Sequence, residues 1–427
     1  MHKNLWIIWG YGLEGQAVEK WLQKKHPEIH YHIIDESNSD CLPGFTELDV
    51  VNWKGVHTLV LSPGVSLYRE EVQAAVVAGV RLSSSTQLWL DEERAQTCVI
   101  GISGSKGKST TASLLHHLLI QSGRKSALAG NVGEPLLSVD ASQYDYIVLE
   151  LSSYQLATLD ASIDVAIITN LYPEHLDWHR SERQYYKDKL RLLDMSEISI
   201  YHDSWKEKLS LVNKNIPLAF KSLWKLNKDE ISDNESGKLR SENISLKGAH
   251  NMQNVLLALQ ACNALDVNVD NPAKLLEGFR PLPHRLEDLG VMSGLKWVDD
   301  SISTIPQSSF VAIEALGADN LTVILGGHDR GISWVDFAEK VKGFSSLTLI
   351  TMPENGDKIY AVLSQYGFRG ILIKCDSLLN AVKHAHKTSD KGGTVLLSPG
   401  APSYGDFNDF KERGCFYLEC IKSLNSL

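Results

Sequence analysis

Short runs of consecutive apolar residues, each followed by glycine-rich or helix-period text, recur along the chain in three blocks. The first block holds such runs at Leu5–Trp9, His32–Asp35 and Thr58–Leu61. The second holds them at Thr97–Ile102, Tyr146–Leu149 and Val165–Ile168, and the third at Leu321–Leu325, Leu347–Ile350, Gly370–Ile373 and Thr394–Leu397. Continuous rather than alternating apolar text predicts strands buried on both faces, as in parallel sheets covered by helices. The fold class is therefore α/β throughout. A single core stops growing near about 250–300 residues, so 427 residues predict two or three domains. The charged stretch Asp91-Glu92-Glu93-Arg94 and the rigid Pro281-Leu282-Pro283 mark the boundaries, giving 1–92, 93–281 and 282–427. Asn227 to Lys247 is rich in Asp, Glu, Asn, Ser and Lys and reads as a surface excursion.

Charge and composition narrow the function classes. A formal net charge of -10 argues against a nucleic-acid binder, whose footprint is a basic patch. No apolar stretch is long enough to span a bilayer, and the opening run is too short for a signal-peptide core. Cys41, Cys98, Cys262, Cys375, Cys415 and Cys420 form no CxxC pair, so neither a zinc site nor a disulfide framework is predicted. A reducing, cytoplasmic location fits that pattern.

The strongest local signal follows the run ending at Ile102. Ser103-Gly104-Ser105-Lys106-Gly107-Lys108-Ser109-Thr110 leads into helix-like Thr111-Ala112-Ser113-Leu114-Leu115. Glycines let the backbone curl so that N–H groups face phosphate oxygens, and the helix N-terminus adds a favourable dipole. Lys108 is placed to reach the β and γ phosphates, and Ser109 or Thr110 to ligate Mg²⁺. Ile102 stands where the strict motif has its first glycine; the plain alternative is a glycine turn beside a surface lysine. ATP binding is the prediction.

An amino-terminal turn is built alike. Gly10-Tyr11-Gly12-Leu13-Glu14-Gly15 follows a strand and opens a helix, with Asp35 closing the next strand. This spacing fits a dinucleotide, but the same turn holds any diphosphate, including that of a UDP-sugar, or serves packing alone. Glu150 closes a predicted strand, where α/β sites assemble and a carboxylate can hold Mg²⁺; an N-cap or surface acid is the plain alternative. His175 and His179 are four apart, but no third nitrogen or sulfur ligand lies near, so zinc is not predicted. Lys189 sits in ordinary charged helix text and by itself reads as a solvated face.

Together these pieces resemble the Mur ligases. The resemblance is carried by the phosphate loop, Glu150-Leu151-Ser152-Ser153, Glu174-His175-Leu176-Asp177, Lys189-Leu190-Arg191, Gly248-Ala249-His250-Asn251-Met252-Gln253-Asn254 and Leu282-Pro283-His284-Arg285, in that order. It runs from Gly10 to the last helix. It implies a UDP-sugar-binding Rossmann-like domain, a central ATPase and a Rossmann-like domain that brings glutamate. The implied reaction joins glutamate to UDP-N-acetylmuramoyl-L-alanine through an acyl phosphate, in peptidoglycan precursor synthesis, by a monomer.

Residue by residue, the resemblance implies a catalytic set of Lys108, Glu150, His175 and Lys189. It implies two Mg²⁺ ions held by Ser109 or Thr110, Glu150, His175 and a carbamylated Lys189. ATP falls to Gly104, Ser105, Lys106, Gly107, Lys108, Ser109 and Thr110 with Asn251, Asn254, Arg285 and Asp300. The UDP-linked substrate falls to Gly12, Leu13, Asp35, Ser62, Pro63, Gly64, Asn131, Ser153 and Gln155, and glutamate to Thr304, Arg330, Ser403 and Phe410.

The acceptor site departs from the common pattern. Asp300-Ser301-Ile302-Ser303-Thr304 carries Ile302 where lysine is usual, and Arg330 replaces a second lysine. Arginine forks onto a carboxylate as lysine does not, so the hand of the glutamate is open. D-glutamate is the default expectation. L-glutamate, used by a variant branch that leaves inversion to an epimerase, is the contender. Lys106 also stands where asparagine is common. Three rival readings are a nucleotide-dependent (NAD) oxidoreductase resting on the amino-terminal turn, a silent binding module, and a sister ligase of the folylpolyglutamate synthetase type. The first leaves Lys108, Glu150 and Lys189 unexplained, the second their joint presence, and the third the amino-terminal domain.

Overall fold

A computed structural model describes residues 5–36, 48, 51–131, 135–174, 176–207, 209, 219–227, 230–233, 238–240, 242, 246, 249–280, 283–329, 331–403 and 405–424. The chain forms two compact units, the first of residues 1–244 and 250–279, the second of 245–249 and 280–427.

The first unit holds two parallel sheets. Strands β1 (Leu5–Trp9), β2 (His30–Ile34), β3 (Thr58–Leu61) and β4 (Arg81–Ser83) pair in the order β2-β1-β3-β4. Strands β5 (Cys98–Ser103), β6 (Ser126–Gly130), β7 (Tyr146–Glu150), β8 (Ile163–Ile168) and β9 (Ser196–Tyr201) pair in the order β6-β7-β5-β8-β9. The central strand β5 has Val99, Ile100 and Ile102 fully buried, as its uninterrupted apolar text predicts. Registers align the strand ends: Ile102 lies opposite Glu150, and Ser103 opposite Ile168. Loops following β5, β7 and β8 therefore emerge side by side along one edge, where parallel sheets build their sites.

Part of the polar excursion is not loop. Strands β10 (Lys225–Asn227), β11 (Glu230–Ser232) and β12 (Lys238–Arg240) form a small antiparallel sheet. Ile231 and Leu239 are buried beneath otherwise polar text. One apolar residue per strand is too weak a period to register in the sequence.

The second unit is one sheet of β13 (Glu287–Met292), β14 (Leu295–Asp299), β15 (Leu321–Leu325), β16 (Thr348–Thr351), β17 (Ile371–Lys374) and β18 (Thr394–Leu397). Their order is β13-β14-β18-β15-β16-β17, parallel except for the β13–β14 hairpin. Strand β14 was missed in the sequence because Lys296 interrupts its apolar run, although Trp297 and Val298 are buried. Among the described residues, no helix is long and apolar enough to cross a membrane.

Candidate active site

The glycine loop sits where β5 meets the helix Lys108–Gln121. Gly104 has φ +144°, and a Cβ there would fall 1.9 Å from Thr169 Oγ1; Gly107, at φ +79°, caps the helix in the left-handed region. The residues after β8 clamp this curl. Thr169 Oγ1 and Asn170 Nδ2 donate to the Lys106 carbonyl at 2.6 and 2.9 Å, and Lys106 N donates to Asn170 Oδ1 at 2.8 Å. The Ser105 hydroxyl turns inward, donating to the Tyr172 carbonyl and meeting Tyr185 Oη at 2.7 Å. Ser105 thus serves the loop's shape, and its backbone N–H is likewise taken, donating to the Asn170 carbonyl at 3.0 Å. Lys108 Nζ reaches back to the Ser105 carbonyl at 3.1 Å, across the mouth of the loop. Ser109 and Thr110 follow in the first helical turn, both buried.

Glu150 closes β7 one strand away, 1% exposed. Asn131 flanks it, donating from Nδ2 to Oε1 at 3.3 Å and from its backbone N to the Glu150 carbonyl. Oε2 is buried with no hydrogen-bond partner among the described residues. A buried carboxylate oxygen left without donors is costly, and a cation arriving there would relieve it.

Lys189 completes the cluster from the helix Glu182–Asp194. It is 2% exposed, and Nζ donates to the Gly104 carbonyl at 2.8 Å. Burial holds its pKa well below the usual lysine range; the Lys108 charge pushes the same way, while Glu174 and Glu150 oppose it. The solvated-face reading of Lys189 is overturned: Tyr185, Tyr186, Lys189, Leu190 and Leu193 share the buried side, and Lys187 is exposed. That 3.6-residue spacing was present in the sequence but masked by the surrounding charges. Lys106 ion-pairs with Glu174, which belongs to the loop's acidic wall. His175 and Arg330 lie outside the described residues.

His179 has a different place from the one its spacing to His175 suggested. It is fully buried, with Nδ1 2.6 Å from Asp188 Oδ2 and Nε2 2.9 Å from Ser153 Oγ. Tyr68 Oη donates to Asp188 at 2.7 Å, and Gln184 Nε2 reaches both. Sequence reasoning missed Tyr68 and Asp188, which are 120 residues apart and match no local motif.

The amino-terminal turn is built from Gly10, whose carbonyl accepts from Ser62 Oγ at 2.7 Å, and from Gly12, which precedes the helix Leu13–Lys25. Asp35 accepts from Tyr11 N at 3.0 Å, and Leu13 is 78% exposed. Ser62 and Pro63 line a crevice of about 10 Å³ with Tyr154, Gln155 and Trp178; nothing lies within 4 Å of a Cβ built on Gly64. The Gln155 side chain is engaged: Oε1 accepts from Ser152, and Nε2 donates to Glu14 Oε1 at 3.0 Å. Burial raises the Glu14 pKa, against the hydrogen bonds from Ser85 and Gln155. Asn254 Nδ2 donates to Asn251 Oδ1 at 3.1 Å, both buried, and Asn254 Oδ1 would lie 2.5 Å from a Cβ on Gly107.

In the second unit, Asp300 accepts from Ser303 Oγ, Ser398 Oγ and Leu286 N, and burial raises its pKa to about 6, with Arg285 opposing. Thr304 follows four residues behind it. Ser403 lines a cavity of about 580 Å³ at the carboxyl ends of the parallel strands. The Phe410 carbonyl accepts from Ser301 Oγ at 2.9 Å. Arg413, unpredicted, is 1% exposed and joins these loops by donating to the Ser301, Ala401 and Pro402 carbonyls. Burial lowers its pKa to about 10. His284, Glu287 and Asp299 could share an ion, but His284 already meets Asp299 at 2.7 Å and Glu287 accepts from the His284 backbone N.

Comparison with known proteins places this geometry in context. The Mur ligase middle domain matches residues 102–262. UDP-N-acetylmuramoyl-L-alanine--L-glutamate ligase of Xanthomonas euvesicatoria is 34% identical, over 96% of this chain and 94% of that protein. The protein of the same name from Xylella fastidiosa strain Temecula1 is 36% identical, over 98% and 97%. Among solved structures, UDP-N-acetylmuramate-alanine ligase of Thermotoga maritima superposes with a TM-score of 0.62 at 18% identity, covering 99% of this chain and 100% of that one. A MurF ligase of the same organism, in complex with ADP, gives 0.59 at 16%, covering 99% and 95%. At such identities the two structures speak for the fold alone.

Proposed function

The chain belongs to the Mur ligase family, ATP-dependent enzymes that form a peptide bond, and from that premise we propose that it joins L-glutamate to UDP-N-acetylmuramoyl-L-alanine. Addition of glutamate to this UDP-linked acceptor is a step of peptidoglycan precursor synthesis. The default expectation of D-glutamate yields to L-glutamate because both relatives carry the L form in their names. Neither of these relatives' names supports the oxidoreductase reading of the amino-terminal turn. On this reading, residues 1–92 bind the UDP-sugar, 93–281 bind ATP and 282–427 present glutamate.

One observation carries the mechanism: the phosphate loop, the Glu150 oxygen without a partner among the described residues and the buried Lys189 converge at the ends of neighbouring strands. A carboxylate is a poor electrophile. Its oxygen attacks the γ-phosphorus of ATP, ADP leaves, and the resulting acyl phosphate carries a good leaving group. The glutamate amine then attacks the acyl carbon, the C–O bond breaks, phosphate departs, and the amine loses a proton. On this reading Lys108 meets the phosphates where negative charge develops, together with loop N–H groups other than those of Ser105 and Lys106, which already donate to Asn170. Asn131, hydrogen-bonded to Glu150, is assigned to the acceptor carboxylate side, and Asn251 and Asn254 to the adenine.

On this reading two Mg²⁺ would be held, one by Ser109 or Thr110 with Glu150 and the second with help from a carbamylated Lys189, while His175, the remaining expected ligand, lies outside the described residues. When bound they would neutralise triphosphate charge. Lys189 suits carbamylation because its burial favours the neutral amine, which attacks CO₂ and releases one proton to leave an anionic carbamate.

Purified enzyme given ATP, UDP-N-acetylmuramoyl-L-alanine and either glutamate enantiomer tests the proposal through phosphate release. Release with L-glutamate at least about tenfold faster than with D-glutamate is expected; a preference for D-glutamate would reverse the stereochemical assignment, and no release with either would reject the ligase reading.

A further inference from the structure

Tyr68, Asp188 and His179, none of them assigned a part in the reaction, connect to Ser153 as one chain, part-buried at Tyr68 and buried beyond it, from the sugar-nucleotide side to the phosphate side of the first unit. Tyr68 stands in the loop after β3, six residues beyond Ser62. Its hydroxyl donates to Asp188 at 2.7 Å; Asp188 precedes Lys189 on the same helix. Asp188 receives His179 Nδ1 at 2.6 Å, and His179 Nε2 meets Ser153 Oγ at 2.9 Å. Asp188, His179 and Ser153 are all at least 97% buried. Gln184 Nε2 donates to both Tyr68 Oη and Asp188 Oδ1 at 2.7 Å, closing the ring.

Neighbouring contacts fix the same segments to each other. Ser66 Oγ donates to the Trp178 carbonyl at 2.9 Å, and the Arg180 guanidinium reaches the Tyr68 carbonyl. Tyr68 meets the Trp178 ring edge-on at 5.7 Å, while Tyr154 stacks on His179 at 5.6 Å. Burial and the bond to Asp188 both raise the Tyr68 pKa, so the phenol keeps its proton and acts as donor. The carboxylate takes its donors from Tyr68, Gln184 and His179 Nδ1, which fixes the imidazole's orientation. With Nδ1 committed, Nε2 holds Ser153 Oγ in one rotamer beside the strand end that carries Glu150.

We propose that Tyr68, Asp188 and His179 are positioning residues that orient the Ser153 hydroxyl and the Ser62–Gly64 loop for the UDP-linked substrate. The proposal rests on the substrate reading above. It differs from simple packing in having an output at Ser153, two hydrogen-bonded groups away from Tyr68.

Steady-state kinetics of a double-mutant cycle on the full chain tests it. Tyr68→Phe, which deletes one hydroxyl, is expected to raise KM for UDP-N-acetylmuramoyl-L-alanine about tenfold, with kcat and the ATP KM within about twofold. Ser153→Ala is expected to raise that KM at least as much, and adding Tyr68→Phe to it should change nothing further. Asp188→Asn keeps the shape of the network and should reproduce both results, should Tyr68→Phe fold poorly. Additive effects in the cycle, or a fall in melting temperature with KM unchanged, would overturn the proposal alone. Wild-type enzyme that does not turn over this substrate would overturn the substrate reading, and the proposal with it.

Discussion

The first unit uses the same strand–glycine–helix turn twice, with opposite surroundings. At Gly10–Gly15 the turn is packed against Ser62, its first helical residues include the half-buried Glu14, and the nearby Asp35 is a hydrogen-bond acceptor. At Gly104–Lys108 the turn is surrounded by Lys106, Lys108 and Lys189, with Glu150 and Glu174 behind them. On the proposed function, backbone curl and helix dipole supply affinity for phosphate oxygens in both places. What separates them is charge. A turn lined with a carboxylate suits a ligand presenting ribose hydroxyls beside its diphosphate. A turn ringed by cations, beside a carboxylate with one oxygen unpartnered among the described residues, suits a triphosphate with its metal. Fold geometry alone would call both sites alike.

Breaking the cationic turn should have the largest effect. Lys108→Ala should lower kcat by about three orders of magnitude or more, since charge development on the transferring phosphoryl group loses its partner. Phosphate release with all substrates present reads this. Lys189→Ala should come next, lowering kcat by about two orders of magnitude, with partial recovery when millimolar acetate or formate is supplied. Rescue by a short carboxylate fits an anion that the native residue carries as a carbamate; full activity without rescue would refute the assignment of Lys189.

Disturbing the amino-terminal turn should be milder and differently distributed. A Cβ on Gly15 would fall 2.1 Å from the Gly10 carbonyl, so Gly15→Ala must shift the turn. It should raise KM for the UDP-linked substrate about 10- to 100-fold and leave ADP binding within about twofold, as calorimetric titration with Mg·ADP would show. Equal losses for both ligands would erase the distinction between the turns.

The smallest effect sharpens the same contrast through pH. Burial raises the Glu14 pKa and lowers that of Lys189, so each favours its neutral form. For Glu14 the folded state binds the proton more tightly than the unfolded chain. Its contribution to stability is fully present below the ordinary value of 4.5 and is lost as pH rises through the raised folded value. The unmodified Lys189 amine, before CO₂ is added, acts with the opposite slope, adding stability as pH rises from its lowered folded value toward 10.5. Glu14→Gln should therefore flatten the fall in melting temperature on the acid side, whereas Lys189→Met should flatten the rise on the alkaline side. Parallel pH profiles for the two variants would contradict the assigned burial.

Much of this was legible in the sequence because the signals were local. The loop at Gly104–Lys108, the strand runs around it and Glu150 at a strand end all announce themselves by neighbours along the chain. Lys189 was half-legible: its position on the apolar stripe is local, but its charge hid the stripe, and only the fold shows that it is buried. Tyr68 and Asp188 were not legible, since a hydrogen bond between residues 120 apart leaves no periodicity. Arg413 was missed likewise, because its acceptors are backbone carbonyls, to which sequence identity is blind.

The central claim is that ATP activates the acceptor's own carboxylate at the Gly104–Lys108 turn. UDP-N-acetylmuramoyl-L-alanine labelled with ¹⁸O in both carboxylate oxygens follows that atom directly. Mass spectrometry of the inorganic phosphate formed in step with glutamate ligation should find one ¹⁸O in each phosphate, delivered through the acyl phosphate. Unlabelled phosphate, released at the same rate as product forms, would mean that water or another group takes the phosphoryl and that the carboxylate is never phosphorylated.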